Sequence, residues 1–366
     1  MKVALICRPF SFHGGIETAT AGLMAELVRR GYEMDLLTTA GQPPVPGVTV
    51  RRLTVIRQPS VLRLLSFSLA AALAVRDRDY DIVQSHERCF RQDIYRAGEG
   101  THRGYLEALG RRGAAMSPYH RVVLALERRI FQLKGARHIV ANSWQAKGEI
   151  ERLYGTPRSQ VSLVYNGVDL ARFHPDSRVR LRSEVRDRWG LPREAWVVVF
   201  IGSGFERKGL GPLIEGVSRL RDPGVRLVVA GKGHAGPYQG LASRLGVSDR
   251  VCWMGPRRDV ECVYAAADVV AVPSLYDPFP NVLLEGLASG VPGLASARTG
   301  GAELIRSGDN GWVVEQCTGA AVAGGLEALR SLDPLELGAR SRAMAERFTY
   351  AAQVEALARI YRGLAR

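Results

Sequence analysis

The chain has 366 residues, more than one hydrophobic core of roughly 250–300 residues holds, so two domains are expected. Its 46% hydrophobic and 7% aromatic content fits a globular α/β protein, and its five scattered cysteines lack any CxxC or Cys/His metal spacing, which reads as reduced thiols in a cytosolic protein. The net charge of +14 is uneven, with 24 basic against 15 acidic side chains in residues 1–170 and 26 against 21 in 171–366, so an anionic partner is expected for the first part.

Lys2–Cys7 reads as an apolar strand, and Met1–Pro9 is charged too early for a signal peptide. The turn Ser11-Phe12-His13-Gly14-Gly15 leads into a helix from Ile16 to Arg30, closed by Gly31. Gly14 and Gly15 can offer amides to a phosphate or sugar there, or simply serve a tight turn. Glu33–Thr38 and Val48–Val55 are the next strands. The apolar run Val61–Val75 contains Arg63 and falls short of the about 20 residues that span a bilayer. Asp77-Arg78-Asp79-Tyr80-Asp81 holds two D-x-D patterns, but it precedes the strand Ile82–Ser85 and so lies at the wrong edge for a ligand. It reads as a solvated turn, and no metal site is expected. His86 and Glu87 follow that strand at its functional end, and Glu99 stands between two glycines. These can face an acceptor and a transferring sugar, or be ordinary surface polar groups.

Residues 103–137 carry eight basic and two acidic side chains, with apolar residues interleaved. The segment suits an anionic bilayer; a packed helix with a charged outer face reads the same way. Strands His138–Asn142 and Val161–Tyr165 complete the first set, and Val168–Pro175 reads as a linker. A second series follows: strand Val197–Ile201, helix Leu210–Arg221, strand Arg226–Ala230, helix Tyr238–Leu245, strand Val251–Met254, helix Val260–Ala266 and strand Val269–Val272. Alternation of this kind implies doubly wound parallel sheets, which bind ligands beyond the carboxyl ends of their strands. With two such domains, the cleft between them is the expected site.

Gly202-Ser203-Gly204-Phe205-Glu206-Arg207-Lys208-Gly209 directly follows a strand. Glycines admit a ligand close to the backbone, and Arg207 and Lys208 suit a diphosphate. Gly231-Lys232-Gly233-His234-Ala235-Gly236 spells G-x-G-x-x-G, but in the second series and with Pro237 next. It reads as a glycine loop, not a nicotinamide site. In Asp277-Pro278-Phe279-Pro280-Asn281-Val282-Leu283-Leu284-Glu285 the prolines disfavour helix, and a helix starts near Asn281, its expected N-cap. A helix N-terminus takes an anion, while flanking carboxylates suit hydroxyls; anion plus polyol describes a sugar nucleotide. The last helix, Tyr350–Arg366, is amphipathic.

Together these motifs resemble glycosyltransferase family 4. Its E-x7-E signature falls at Asp277 and Glu285, its Arg-Lys pair at Arg207 and Lys208, its Gly-Gly turn at Gly14 and Gly15, and its base-binding loop at Gly255-Pro256-Arg257-Arg258-Asp259-Val260. Asp277 departs from the usual Glu by one methylene, which bears on donor choice. The resemblance implies a GT-B fold of two facing Rossmann-like domains with an interdomain cleft. Domain 1–170 would be the acceptor side, with helix 350–366 packed back on it, and 171–349 would bind the nucleotide sugar. It implies retaining hexosyl transfer without metal or cofactor, the nucleotide sugar (UDP-glucose or a related UDP-sugar) being a co-substrate. The acceptor would be a cell-surface glycan or a lipid-linked acceptor such as lipopolysaccharide core. Gly14, Gly15, Gly202, Arg207, Lys208, Asn281 and Val282 would hold the diphosphate. Asp277, Phe279, Pro280 and Glu285 would take sugar and ribose, and Arg258, Asp259 and Val260 the base. His86, Glu99 and Asp277 would serve the transfer itself. A cytoplasmic protein at the inner-membrane surface, held by 103–137 and binding no nucleic acid, is expected. A GT-B sugar-nucleotide epimerase, or a transferase using GDP-mannose or UDP-GlcNAc, is the alternative.

Overall fold

The structure is a computed structural model describing residues 1–10, 15–76, 79–111 and 117–365, the side chains of 15–17 excepted. The chain divides into two units, 1–167 with 350–366, and 168–349.

The first unit has seven parallel strands: β1 (Lys2–Ile6), β2 (Glu33–Thr38), β3 (Val48–Arg52), β4 (Ile82–Ser85), β5 (Ile94–Ala97), β6 (His138–Ala141) and β7 (Val161–Leu163). Their order is β3-β2-β1-β4-β5-β6-β7. Helices α1 (Gly15–Arg29), α2 (Ser60–Ala74), α3 (His102–Ala108), α4 (Pro118–Phe131) and α5 (Trp144–Tyr154) connect them. Strand interiors such as Val3–Ile6 are apolar throughout because helices cover both faces.

The second unit opens with α6 (Pro175–Arg188). It continues through β8 (Trp196–Ile201), α7 (Leu210–Arg219), β9 (Val225–Ala230), α8 (Gly236–Arg244), β10 (Val251–Gly255), α9 (Val260–Ala266) and β11 (Val269–Val272). Then come α10 (Asn281–Ala288), β12 (Gly293–Ser296), β13 (Gly311–Val314), α11 (Gly319–Arg330) and α12 (Pro334–Ala345). Strand order is β10-β9-β8-β11-β12-β13. Helix α6 is anchored by Arg182 and Arg186, whose guanidiniums donate to Asp268 and to the carbonyls of Ala266 and Ala267 at the end of α9. The chain then returns to the first unit as α13 (Tyr350–Leu364). There the fully buried Tyr361 packs edge-on against Tyr32 at 6.0 Å, and Gly22 on α1 leaves room for the Tyr350 ring.

In both sheets the strand order reverses at one place, between β1 and β4 and between β8 and β11, while all strands stay parallel. Such switch points are where open α/β sheets bind ligands, beyond the strand carboxyl ends.

Several boundaries differ from expectation. The strand from Val48 ends at Arg52, not Val55. Strands β5, β12 and β13 and helices α2, α5, α6, α11 and α12 were not anticipated. Strand β5 carries a buried arginine, Arg96, which breaks its apolar reading. Strand β12 opens on Gly293, which lies against Leu283 where a Cβ would stand only 2.4 Å from its Cδ1.

Candidate active site

In the second unit, the loops after β8 and β11 meet at the switch point. Leu275 N donates to Arg207 O at 2.8 Å, and the Arg207 guanidinium donates to Tyr276 O at 2.8 Å. These bonds bring three charges together. Lys208 Nζ lies 2.9 Å from Asp277 Oδ2, and Arg207 Nη1 lies 3.5 Å from the same oxygen. Asp277 is only 6% exposed. Burial pushes its carboxyl up, but Lys208 and Arg207 outweigh that and hold it below the usual range. Asp277 is therefore an ionised, hydrogen-bonded carboxylate.

Glycines make this approach possible. A Cβ on Gly202 would lie 2.5 Å from Lys208 Cδ, so the lysine stem packs across bare backbone. Gly209, at φ +76°, would place a Cβ 1.9 Å from Pro273 O. Gly231, first of the G-x-G-x-x-G run, would place one 1.8 Å from Gly202 O. Backbone packing against the Gly202 loop accounts for Gly231.

The 277–285 segment leads from β11 into α10. The helix begins at Asn281, with Pro280 in the N-cap position and no side-chain cap. This corrects the expectation of Asn281 as N-cap by one residue: proline fixes an extended φ of −75° and ends the loop itself. Val282 lies in the first turn, where backbone amides lack helical acceptors. Phe279 and Pro280 are buried at the helix entrance. Glu285, 7% exposed, accepts from the Tyr264 hydroxyl at 2.8 Å. Burial pushes its carboxyl up, opposed by that bond and by the charges of Arg172 and Lys208. The two acids of the signature thus have opposite electrostatic environments.

The loop after β10 carries Arg258, Asp259 and Val260. Asp259 accepts from Arg257 Nε at 2.8 Å and immediately precedes α9, which starts at Val260. The Arg258 carbonyl accepts from Arg172 at 3.1 Å, and Arg172 is held by Glu261 at 2.9 Å. Arg172 and Tyr264 are members of this site that sequence reasoning missed. Arg172 lay in the presumed linker, and Tyr264 lay within the expected helix Val260–Ala266.

In the first unit, the residues at the strand ends form an alternating chain of charges. Arg8, after β1, donates to Glu87 at 2.7 Å and pairs with Glu99. Arg88 lies 3.6 Å from Glu99 and 2.8 Å from Glu127, a side chain with no exposure. Glu127 also accepts from the Tyr154 hydroxyl at 2.5 Å and the His102 amide at 2.6 Å. Glu99 is thus flanked by two guanidiniums, a setting that favours holding a partner over taking a proton. His86, after β4, has Nε2 3.0 Å from Gln84 Nε2. Burial and the charge of Arg96 push its imidazole well below its ordinary value, so it is neutral near pH 7. Arg8, Arg88 and Glu127 were also missed. The available signal was Glu127 on the buried stripe of α4 with Val123, Leu126 and Ile130. Gly14 lies outside the described residues, as do Asp77 and Arg78; Gly15 opens α1. Asp81 accepts from the Lys2 amide at 2.6 Å, which ties the D-x-D turn to the amino end of the sheet.

Within 103–137, Arg121, Arg128 and Arg129 of α4 are exposed and Leu133 is 64% exposed, while Leu126, Ile130 and Phe131 are buried. Arg112 lies outside the described residues. Among the described residues no helix is long and apolar enough to cross a membrane, and no group of three or more His, Cys, Asp or Glu is placed to hold a metal ion.

Two family models match the chain: Glycosyltransferase Family 4 over residues 13–172, and Glycosyl transferases group 1 over 182–352. A probable transglycosylase of Burkholderia thailandensis is 34% identical over 308 residues, 83% of this chain and 80% of that protein. Among solved structures, WaaG, a glycosyltransferase involved in lipopolysaccharide biosynthesis, superposes with a TM-score of 0.85 at 22% identity, over 99% of this chain and 100% of that one. Anabaena HepE in complex with UDP and glucose gives 0.79 at 20% identity, over 100% of both chains. These likenesses show the GT-B fold. With two family models in tandem and a relative at this identity and coverage, the chain belongs to glycosyltransferase family 4.

Proposed function

We propose that the chain transfers a hexose, with retention of configuration, from a UDP-sugar such as UDP-glucose to a cell-surface glycan or lipid-linked acceptor such as lipopolysaccharide core. The observation that carries this reading is the meeting of Lys208, Arg207 and Asp277 beside the uncapped start of α10, with Glu285 one turn inside that helix. Lys208 and Arg207, with the amides near Asn281 and Val282 and the glycine backbone at Gly202, hold the diphosphate. They act most strongly as charge builds on that leaving group. Asp277 takes a hydroxyl of the sugar, beside Phe279 and Pro280, and Glu285 takes the ribose hydroxyls. The Arg258–Val260 loop takes the base. In the first unit, Glu99, held by Arg8 and Arg88, orients the acceptor.

The UDP complex of HepE supports uridine as the base. Exposed Arg121, Arg128 and Arg129 beside exposed Leu133 support a peripheral position on an anionic membrane, at the cytoplasmic face of the inner membrane. The mechanism needs no metal or organic cofactor: Lys208 and Arg207 supply the positive charge.

The test is product analysis with UDP-glucose, UDP-GlcNAc or GDP-mannose, each with and without a lipopolysaccharide-core acceptor. The reading expects UDP-glucose to be consumed only with acceptor and to give an α-linked product. Release of an isomerised sugar from donor alone would replace it with an epimerase.

A further inference from the structure

Glu285 presents an unusual balance. An ionised carboxylate has about four acceptor sites and no donor. This one is 7% exposed, and among the described residues Tyr264 is the side chain that donates to it. A partner with hydroxyl donors would fill the acceptor sites that remain.

Tyr264 itself is completely buried on α9. Its ring meets Phe173 edge-on, with centroids 5.7 Å apart at 82°. Its hydroxyl reaches two acceptors on α10, Val282 O at 3.0 Å and Glu285 Oε2 at 2.8 Å. Gly286 brings α10 close against β11, since a Cβ there would lie 2.6 Å from Val270 Cγ1. The ring is thus locked by packing, while the glutamate has three rotatable bonds. The rigid partner sets the flexible one.

We propose that Tyr264 is a positioning residue for donor recognition: its hydroxyl holds one oxygen of the Glu285 carboxylate so that the other faces the ribose hydroxyls of a nucleoside diphosphate. The inference rests on the ribose role proposed for Glu285. It makes Tyr264 a determinant of ribose against deoxyribose, although the tyrosine touches no ligand.

Tyr264→Phe keeps the ring and deletes only the hydroxyl; Tyr264→Met, smaller and also without a hydroxyl, is the second variant should the first fold poorly. Binding of UDP, GDP and ADP, of their 2′-deoxy forms and of the corresponding monophosphates, is measured by calorimetry on the full chain. In the wild type the cognate nucleotide is expected to bind about tenfold more tightly than its deoxy form, the scale of one hydrogen bond to a charged group. In Tyr264→Phe that ratio falls to within about twofold, while the preference for nucleoside diphosphate over monophosphate is unchanged. A purely structural role would weaken every ligand alike. A wild-type ratio retained in both variants overturns the inference and leaves the nucleotide reading standing. A wild type that binds none of the three nucleotides overturns both.

Discussion

Lys208 and Asp277, 69 positions apart in sequence, form a buried ion pair with Nζ 2.9 Å from Oδ2, joining the loop after β8 to the loop after β11. Removing one member of a buried pair leaves a charge without its partner. Lys208→Met is predicted to destabilise the second unit by about 3 kcal/mol and to abolish transfer. Lys208→Met with Asp277→Asn should regain most of the stability and none of the activity. Urea denaturation alongside turnover checks both halves; recovery of activity in the double variant would refute the assignment.

Gly202 is predicted to be essential for the position of Lys208, because a Cβ there would lie 2.5 Å from the lysine stem. Gly202→Ala should raise the donor KM about tenfold or more, through displacement of Lys208, and lower stability because its φ of +157° disfavours a side chain. An unaltered donor KM in a folded variant would contradict this.

The two acids of the signature predict opposite pH effects. Asp277 titrates below its unfolded value, so its stabilisation is present above about pH 4 and is lost as pH falls through the depressed folded value. Glu285 titrates above its unfolded value because of burial, so its ionisation opposes folding at neutral pH. Glu285→Gln is therefore predicted to raise Tm at pH 7.5 by a few degrees, the scale on which about 1 kcal/mol moves a domain of this size. The gain should disappear by about pH 4, where the wild-type carboxyl is protonated in both states. Thermal melts across pH 4–8 measure it, and a lower Tm at pH 7.5 would contradict the burial argument.

Glu127 is unexposed and rests on Arg88, Tyr154 and the His102 amide. Arg88→Met leaves that carboxylate underpaired and is predicted to destabilise the first unit by about 3–5 kcal/mol. Adding Glu127→Gln should recover much of the loss. Denaturant melts of the single and double variants give the answer, and a single variant as stable as wild type would show the pair to be unimportant.

The parallel sheets were legible because strands such as Val197–Ile201 are apolar without interruption and end in glycine loops. Strands β5 and β13 escaped because Arg96 and Gly311 break the pattern, and their pairing is decided by neighbours, not by their own propensity. In the site, Arg207, Lys208, Asp277 and Glu285 could be found by spacing. That Lys208 lies on Asp277 could not, because it depends on Gly202, Gly209 and Gly231 letting two loops meet. Tyr264, 21 positions before Glu285 and on another helix, gives no local signal at all.

The most direct measurement is the thermal unfolding of the wild type and of Glu285→Gln with UDP, GDP, ADP and their sugars, with UDP-glucose at the centre. A ligand bound only to the folded state stabilises it by about 2.7 kcal/mol at one hundred times its Kd. The account predicts a rise in Tm for the wild type that grows with UDP-glucose concentration, and a smaller rise at the same concentration for Glu285→Gln, which starts from the higher Tm. Equal shifts in both proteins, or no shift of the wild type with any nucleotide or nucleotide sugar, would contradict it.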